Sequence, residues 1–405
     1  MSNLENEILI PPETKKVKLS NSELIDMLSD LPDCVILHIL SFLNTKDAVR
    51  TCVLSVRWKD MWKRVPALIL DKSDFGTIKI FAKFVSEVLS LRDSSIALQS
   101  IDFDDNCCLE PRFIKRVVNY AISNNVQRLG LSARCNIEQI PPNFFSCHTL
   151  TYLKLSLYPK SGDDNKTLFP KSFNLPSLTS LCLGNFAFCA GDDGRIEPFS
   201  AFNRLNSLVL QGFAVRGALT LCISSATLVN LTLNNHSFDF FEIEICTPSV
   251  CSFAFIGRPY QKIFGRGLSY VKHVDIHAEV SSLDIEPPLL LLSWLLDLDN
   301  TKSLTVTAST LQVLFLNSNL LKTEFFSLGN LKLLKVKIKP LMYGFRQRLI
   351  EAKLQKIRPR KEAAKLRKSI KAGLEPFAPI PDGIVNFLTQ NSPSAEVEII
   401  DCSWR

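Results

Sequence analysis

A chain of 405 residues with 46% hydrophobic and 21% charged side chains has the balance of a globular protein, which excludes an intrinsically disordered one. Its formal net charge of +7 is unevenly placed: Arg346 to Lys371 carries eleven Lys/Arg against Glu351 and Glu362, leaving 36 basic and 38 acidic residues elsewhere. A basic segment on a near-neutral body argues against a nucleic-acid-binding surface spread over the whole protein.

The apolar content points inward. Phe (27) far outnumbers Tyr (6), and rings without a polar handle suit buried packing. The densest apolar stretch, Leu289 to Leu296, is broken by Ser293 and followed by Asp297 and Asp299. It falls far short of the roughly 20 residues a bilayer span requires. The N-terminus has Glu5 and Glu7 but no apolar core of a secretory signal. The twelve cysteines, the vicinal pair Cys107–Cys108 included, form no Cys-x-x-Cys and no regular spacing. They read as reduced, mostly buried thiols of a protein of the nucleus and/or cytoplasm, neither secreted nor transmembrane.

Residues 1–26 are polar, contain Pro11-Pro12, and read as a flexible tail. Lys15-Lys16-Val17-Lys18 within it is either a short import-type basic cluster or a solvated run. A helical period follows. Ile36, Ile39, Leu40 and Leu43 fall at i, i+3, i+4 and i+7 on one face, with Pro32 placed for a first turn. Asn44 and Thr45 can cap a second helix, whose apolar set is Val49, Cys52, Val53 and Val56. Trp58, Met61 and Trp62 continue the spacing on a third segment. Three helices this short bury little core alone and must lean on a partner or on the rest of the chain.

These residues carry a resemblance. Leu31-Pro32, Ile36, the run Ile39-Leu40-Ser41-Phe42-Leu43, and Leu54-Ser55-Val56-Arg57-Trp58 followed by Trp62 resemble an F-box, in the plant form usually joined to leucine-rich repeats. Asn44 stands where the family often has Pro, and Val56 where a basic residue commonly precedes Arg-Trp. Neither departure removes an apolar contact position. The resemblance implies that Leu31, Pro32, Ile36, Ile39, Leu40, Leu43 and Trp58 dock a Skp-type adaptor, which connects to a cullin scaffold and a ubiquitin-charged conjugating enzyme.

From Val65 onward apolar residues recur at positions 1, 4 and 6 of short segments. Strict Leu-x-x-Leu-x-Leu starts at Leu150, Leu178, Leu205, Leu228, Leu311 and Leu328. Relaxing Leu to other apolar residues adds Val65, Leu98, Val126, Val250, Val271 and Leu331. From Leu98 through Val271 successive starts are 28, 24, 28, 27, 23, 22 and 21 residues apart, the step of a leucine-rich repeat. Each repeat contributes a strand whose positions 1, 4 and 6 face the stack, so neighbours on both sides must bury it. Phe144, Phe145, Phe173, Phe186, Phe213 and Phe240 are expected to fill the core between strands. Over 283–340 the register is ambiguous: Thr301 to Val306 and Leu331 to Val336 look like strands, and the Leu311 match reads either as a strand or as helical in type.

After Pro340 the basic segment reads as helix. Ile350, Leu354 and Ile357 share a face, Pro359 interrupts it, Ala363, Leu366 and Ile370 resume it, and Gly373 ends it. Its charges lie on several sides with no Trp anchor, which disfavours membrane insertion. The closing stretch, Ile380 to Ile400, reads as a short helix, a turn and a strand, and weakly resembles the FBD module of plant F-box proteins.

No Gly-x-Ser-x-Gly, Walker loop, Gly-x-Gly-x-x-Gly or His-Glu-x-x-His is present. His273, Asp275 and His277 alternate outward on one strand, a solvated face in the plain reading, so no metal and no cofactor is expected. Outward positions of the repeats, Tyr152, Lys154, Ser156, Ser207, Gln211, Asn230, Thr232, Asn234, His273, Asp275 and His277, would line a concave sheet. They form no stripe of one charge, which makes a nucleic-acid groove unfavourable there.

The expected architecture is therefore multidomain: a small all-α three-helix F-box (27–65) behind a tail (1–26), then an α/β leucine-rich-repeat solenoid (66–340). A basic amphipathic helical segment (341–372) and a helix-turn-strand cap (373–405) follow. The expected role is the non-catalytic substrate-recognition subunit of a Skp–cullin–F-box ubiquitin ligase, with a protein substrate taken by Tyr152, Lys154, Asn230, Asn234, His273, Asp275 and His277. The alternative is a non-ligase repeat scaffold or nuclear regulator acting through residues 346–371.

Overall fold

The computed structural model describes residues 30–105, 110–159, 166–170, 173–189, 194–280, 286–316, 327–340, 343–356 and 380–402, with 361–362, 364–365 and 368. The tail with its lysine cluster, Cys107–Cys108 and most of the basic segment beyond Lys356 lie outside the described residues.

Helix α1 (Asp33–Ser41) starts behind Pro32, whose carbonyl accepts from the amides of Val35 and Ile36 at 2.9 and 3.1 Å. Asn44 caps α2 (Thr45–Arg50) by accepting from Asp47 N at 2.7 Å. The expected helical face running from Val49 to Val56 does not form. Helix α2 ends at Arg50, a single 3-10 turn spans Thr51–Val53, and Val56 lies beyond it, 92% exposed. The Thr51 hydroxyl donates back to the Ala48 carbonyl at 2.7 Å, and such back-bonding beside β-branched residues loosens the continuing helix. The third segment, Trp58–Arg64, is 3-10 rather than α. Side chains three apart eclipse in that geometry, and Trp58, Met61 and Trp62 are all buried.

A twelve-stranded sheet follows: β1 (Ala67–Asp71), β2 (Ser100–Asp105), β3 (Arg128–Ala133), β4 (Tyr152–Leu157), β6 (Ser180–Gly184), β9 (Ser207–Gln211), β12 (Asn230–Asn235), β14 (Ser252–Gly257), β16 (His273–Ala278), β17 (Ser303–Thr307), β18 (Leu333–Ile338) and β19 (Glu396–Asp401). Strands intervening in sequence build two smaller sheets on the return side. One holds β5 (Thr167–Leu168), β7 (Phe186–Cys189) and β10 (Ala214–Arg216). The other holds β8 (Arg195–Ile196), β11 (Thr220–Ser224), β13 (Glu242–Cys246) and β15 (Lys262–Phe264).

The large sheet keeps sequence order, and each neighbouring pair is parallel. Equivalent residues stand side by side: Leu208 pairs with Leu231, Leu231 with Phe253, Phe253 with Val274, Val274 with Leu304 and Leu304 with Leu334. Positions 1, 4 and 6 are therefore continuous rows. In the steps beginning at Val65, Leu98, Val126, Leu150, Leu178, Leu205, Leu228, Val250, Val271, Thr301 and Leu331 each of these residues is at most 4% exposed. On the return side, α3 (Ile78–Leu91) and α4 (Pro111–Ser123) cover the first steps. They bury Phe81, Val85 and Val88, and Ile114, Val117 and Val118. The small sheets take over in the middle, and α5 (Glu286–Leu296) and α6 (Ala308–Phe315) cover later steps.

The Leu311 match lies in α6, the helical one of its two readings. Two expectations need correction. The Leu328 match is a decoy by three residues: Leu331, Leu334 and Val336 occupy the buried rows, while Leu333 faces the other way. Phe240 is exposed and Phe241 is buried instead, because Ile243 and Ile245 of β13 face the core and strand alternation carries that parity back to 241. Phe144, Phe173, Phe186 and Phe213 are buried as expected, and Phe145 is half-buried.

The last described helices are α7 (Tyr343–Lys356) and α8 (Ile384–Thr389). Helix α7 buries Phe345 and Leu349, so the core face is set one residue before the expected Ile350–Leu354 pair, which is only half-buried. Helix α8 packs through Ile384, Phe387 and Leu388, and Ser392 Oγ donates to the Leu328 carbonyl at 2.6 Å. No helix among the described residues is long and apolar enough to cross a membrane.

The two sheet edges differ. At β1 the amide of Ile69 donates to the buried hydroxyl of Thr45 on α2 at 2.8 Å, and Lys46 donates to the Asp74 carbonyl. The helical unit therefore covers that edge. At β19, Val397 and Ile399 pair with the buried Leu334 and Val336 yet are 40% and 57% exposed. Asp33, at the head of α1, accepts from Arg57 at 2.8 Å and from Arg64 at 2.9 Å. This clasp joins the two ends of the helical unit.

Two outcomes follow for stability. Leu208→Ala should cost about 2–5 kcal/mol, whereas Ile399→Ala should stay within about 0.5 kcal/mol; urea unfolding of each variant measures the difference. The Arg57 guanidinium, then that of Arg64, holds the Asp33 carboxyl below its ordinary range. A depressed folded-state pKa stabilises above the unfolded value and loses that contribution as pH falls through the folded one. Asp33→Asn should thus lower the unfolding temperature near neutral pH, and the gap to the parent chain should close below the ordinary carboxylate range.

Candidate docking surfaces

The helical unit divides its apolar side chains between two directions. Ile36 and Leu40 are fully buried, and Trp58 joins them. Leu31 and Leu43 are half-buried against the same core, and Pro32 is exposed. Outside stand Val35, Ile39, Phe42, Val53, Leu54 and Val56, each more than a third exposed. Of the seven nominated residues, then, Ile36, Leu40 and Trp58 hold the unit together from within, while Ile39 and Pro32 reach solvent. Val35, Phe42, Val53, Leu54 and Val56 are not among those seven. Val53 and Val56 belong by spacing to the expected second helix face, and Val35, Phe42 and Leu54 are apolar residues off the periodic faces, which composition alone does not distinguish from core.

Apolar side chains exposed on so short a stretch are costly in water unless a partner covers them. Phe42 is the largest, and His38 packs edge-on against its ring at 4.8 Å between centroids. The chain leaves α1 at this point, which keeps Phe42 at the rim instead of folding it under.

The outward face of the large sheet brings the other nominated residues into rows. Asn230, Ser252, His273 and Ser303 form one row across four strands, and Thr232, Ala254, Asp275 and Thr305 form the next. Ser252 and Ala254 are small between longer neighbours, so the surface dips there into a shallow depression lined by Asn230, Thr232, His273, Asp275 and Thr305. Asn234 is half-buried, as are Ser207, Gln211 and Lys154. Ser156 is buried, pressed upon by the close approach of Gly184, where an added Cβ would meet Ser156 Oγ at 2.3 Å. Tyr152 carries the Arg128 guanidinium over its ring at 4.3 Å.

Charges on this face are mostly engaged. Lys337 pairs with Asp275 at 3.2 Å and Lys335 with Glu398 at 2.9 Å. His277 contacts Glu279 at 3.0 Å, and this hydrogen bond holds the Glu279 carboxyl below its ordinary range. Toward the first strands, burial pushes the Asp104 carboxyl up, opposed by a hydrogen bond with the Ser132 side chain. His273, Asp275 and His277 thus share a face, but Asp275 and His277 turn to separate partners and the three do not converge on a common point.

Comparison with known proteins places these surfaces in context. The F-box domain model matches residues 28–70. An F-box/FBD/LRR-repeat protein of Arabidopsis thaliana is 27% identical over 332 residues, covering 74% of this chain and 69% of that protein. F-box/LRR-repeat protein 13 of the same plant is 28% identical over 322 residues with the same coverage of both chains. An FBD-associated F-box protein of that plant is 27% identical over 326 residues, again across 74% and 69%. Residues 28–70 are an F-box domain, and the chain over most of its length is similar to plant F-box/LRR-repeat proteins with an FBD-like region.

Proposed function

We propose that this chain is the substrate-recognition subunit of a Skp–cullin–F-box ubiquitin ligase: the helical unit docks a Skp-type adaptor and the sheet-built remainder, read as a leucine-rich-repeat solenoid, selects a protein substrate. The observation that carries this reading is the exposed apolar set Val35, Ile39, Phe42, Val53, Leu54 and Val56 on an F-box. These side chains have the character of the core of a protein–protein interface. Ile36, Leu40 and Trp58 support them from behind, and Leu31, Pro32 and Leu43 flank them.

The proposed division of the chain is an adaptor-binding unit over 27–65, a substrate-binding solenoid over 66–340, and a basic segment with a terminal cap after it. On this reading the chain contributes proximity and no bond-making chemistry. Holding substrate beside the charged conjugating enzyme replaces a bimolecular encounter with an intramolecular one. Tyr152, Lys154, Asn230, Asn234, His273, Asp275 and His277 remain the proposed substrate contacts; the depression around Ala254 is lined by Asn230, His273 and Asp275, and Tyr152 and Lys154 stand four strands away on β4. A nuclear or cytoplasmic site of action fits a ubiquitin ligase subunit.

The test is affinity for a plant Skp-type adaptor. Combining Ile39→Ala, Phe42→Ala and Leu54→Ala should weaken binding by about 30-fold or more, as expected for loss of at least one interface hot spot. Their exposure means that the unfolding temperature should barely move. Leu40→Ala serves as the contrast, since it should lower stability first. Undiminished adaptor binding by the folded triple variant would overturn the docking surface.

A further inference from the structure

Away from both docking surfaces, the outer face of the four-stranded return-side sheet gathers an unusual set of side chains. Cys222 on β11 lies opposite Glu244 on β13 in register. Cys246 stands two residues beyond Glu244 and therefore on the same face. Arg195, on β8, pairs with Thr220 and presents its guanidinium to the group. Its Nη2 lies 3.1 Å from Cys222 Sγ and 2.8 Å from Glu244 Oε2. The two sulfurs and a Glu244 oxygen all lie within 4.8 Å of one another, and this is the only group of its kind among the described residues. Cys222 is buried, while Glu244 and Cys246 are half-buried.

We infer that Cys222, Cys246 and Glu244 form a site for a thiophilic divalent cation, zinc in the first instance. Two thiolates and one carboxylate are a zinc-type donor set, and thiolates are poor ligands for magnesium or calcium. Ligand atoms around tetrahedral zinc stand about 3.5–3.8 Å apart, so closing on an ion asks for movements of about 1 Å at most. Three protein ligands leave a fourth position for water.

Charge is close to balanced there. Two thiolates and a carboxylate bring three negative charges, a divalent ion returns two, and Arg195 offsets the last while its Nε also donates to Glu197 at 2.9 Å. Arg195 would act as the partner that orients a ligand sulfur, a role commonly filled by groups next to metal ligands. The carboxylate engages Arg195 through one oxygen and has a second to offer. Binding proceeds by loss of the two thiol protons to solvent, with no change in oxidation state, and is therefore favoured by higher pH. The ion would tie two successive repeats together across β11 and β13, on the side opposite the proposed substrate face.

The experiment uses the full chain, incubated with zinc chloride, desalted and assayed for bound metal, with cobalt as the spectroscopic probe. The expected result is one zinc per chain, a sulfur-to-cobalt charge-transfer band with cobalt, and a zinc-dependent rise in unfolding temperature. Cys246→Ser and Glu244→Gln, at half-buried positions, should keep the fold and lose the bound zinc on desalting. Arg195→Gln should weaken binding about 10–100-fold. A parent chain that retains no zinc and gives no cobalt–thiolate band overturns the site. So does zinc retention unchanged in Cys246→Ser and Glu244→Gln.

Discussion

Everything beyond the helical unit rests on one constraint: parallel strands held in the same register. Because Leu208, Leu231, Phe253, Val274, Leu304 and Leu334 stand in a single row, each is buried by its neighbours on either side and not by a distant part of the chain. A slip of one residue would turn every such row to solvent. Close backbone approach enforces the alignment at a few points. At Gly257, with φ of +123°, a Cβ would lie 2.0 Å from the Asn235 carbonyl oxygen of the preceding step, so only glycine allows these two strands to end together.

The helical unit solves two problems at once. An edge strand exposes unpaired amides and carbonyls, and Thr45 and Lys46 meet those of the first step. In return the unit rests its own small core of Ile36, Leu40 and Trp58 against a large one, which so short a segment needs. The same economy leaves Phe42, Leu54 and Val56 largely exposed. Stability and availability for a partner are thus divided residue by residue along a single stretch.

Much of this was legible in the sequence, because buried rows and repeat steps are local patterns. The starts from Val65 to Val271 all proved to be strand entries, and even the relaxed matches held where their spacing was regular. Legibility failed where two patterns overlapped. Leu328 and Leu331 both satisfy the rule, and only packing against Leu304 and Val306 decides between them. It failed again where a local hydrogen bond ended a helix, as at Thr51. The candidate surfaces were harder. Ile36 and Ile39 are both apolar and three residues apart, yet one is buried and the other exposed. The Asp33 clasp with Arg57 and Arg64 depends on a return of the chain that spacing does not announce.

The order of the strands also sets a length. Twelve strands at about 4.8 Å spacing place the last roughly 50 Å from the first along the sheet. The helical unit sits against the first strand only, so the sheet is a ruler measured from one fixed end. The depression around Ala254 lies on the eighth strand in this order, well past the midpoint. Whatever binds there is presented at a distance from residues 28–70 that the count of intervening repeats determines. Insertion or loss of one repeat between β1 and β14 would shift that distance by about 5 Å while leaving both surfaces chemically intact.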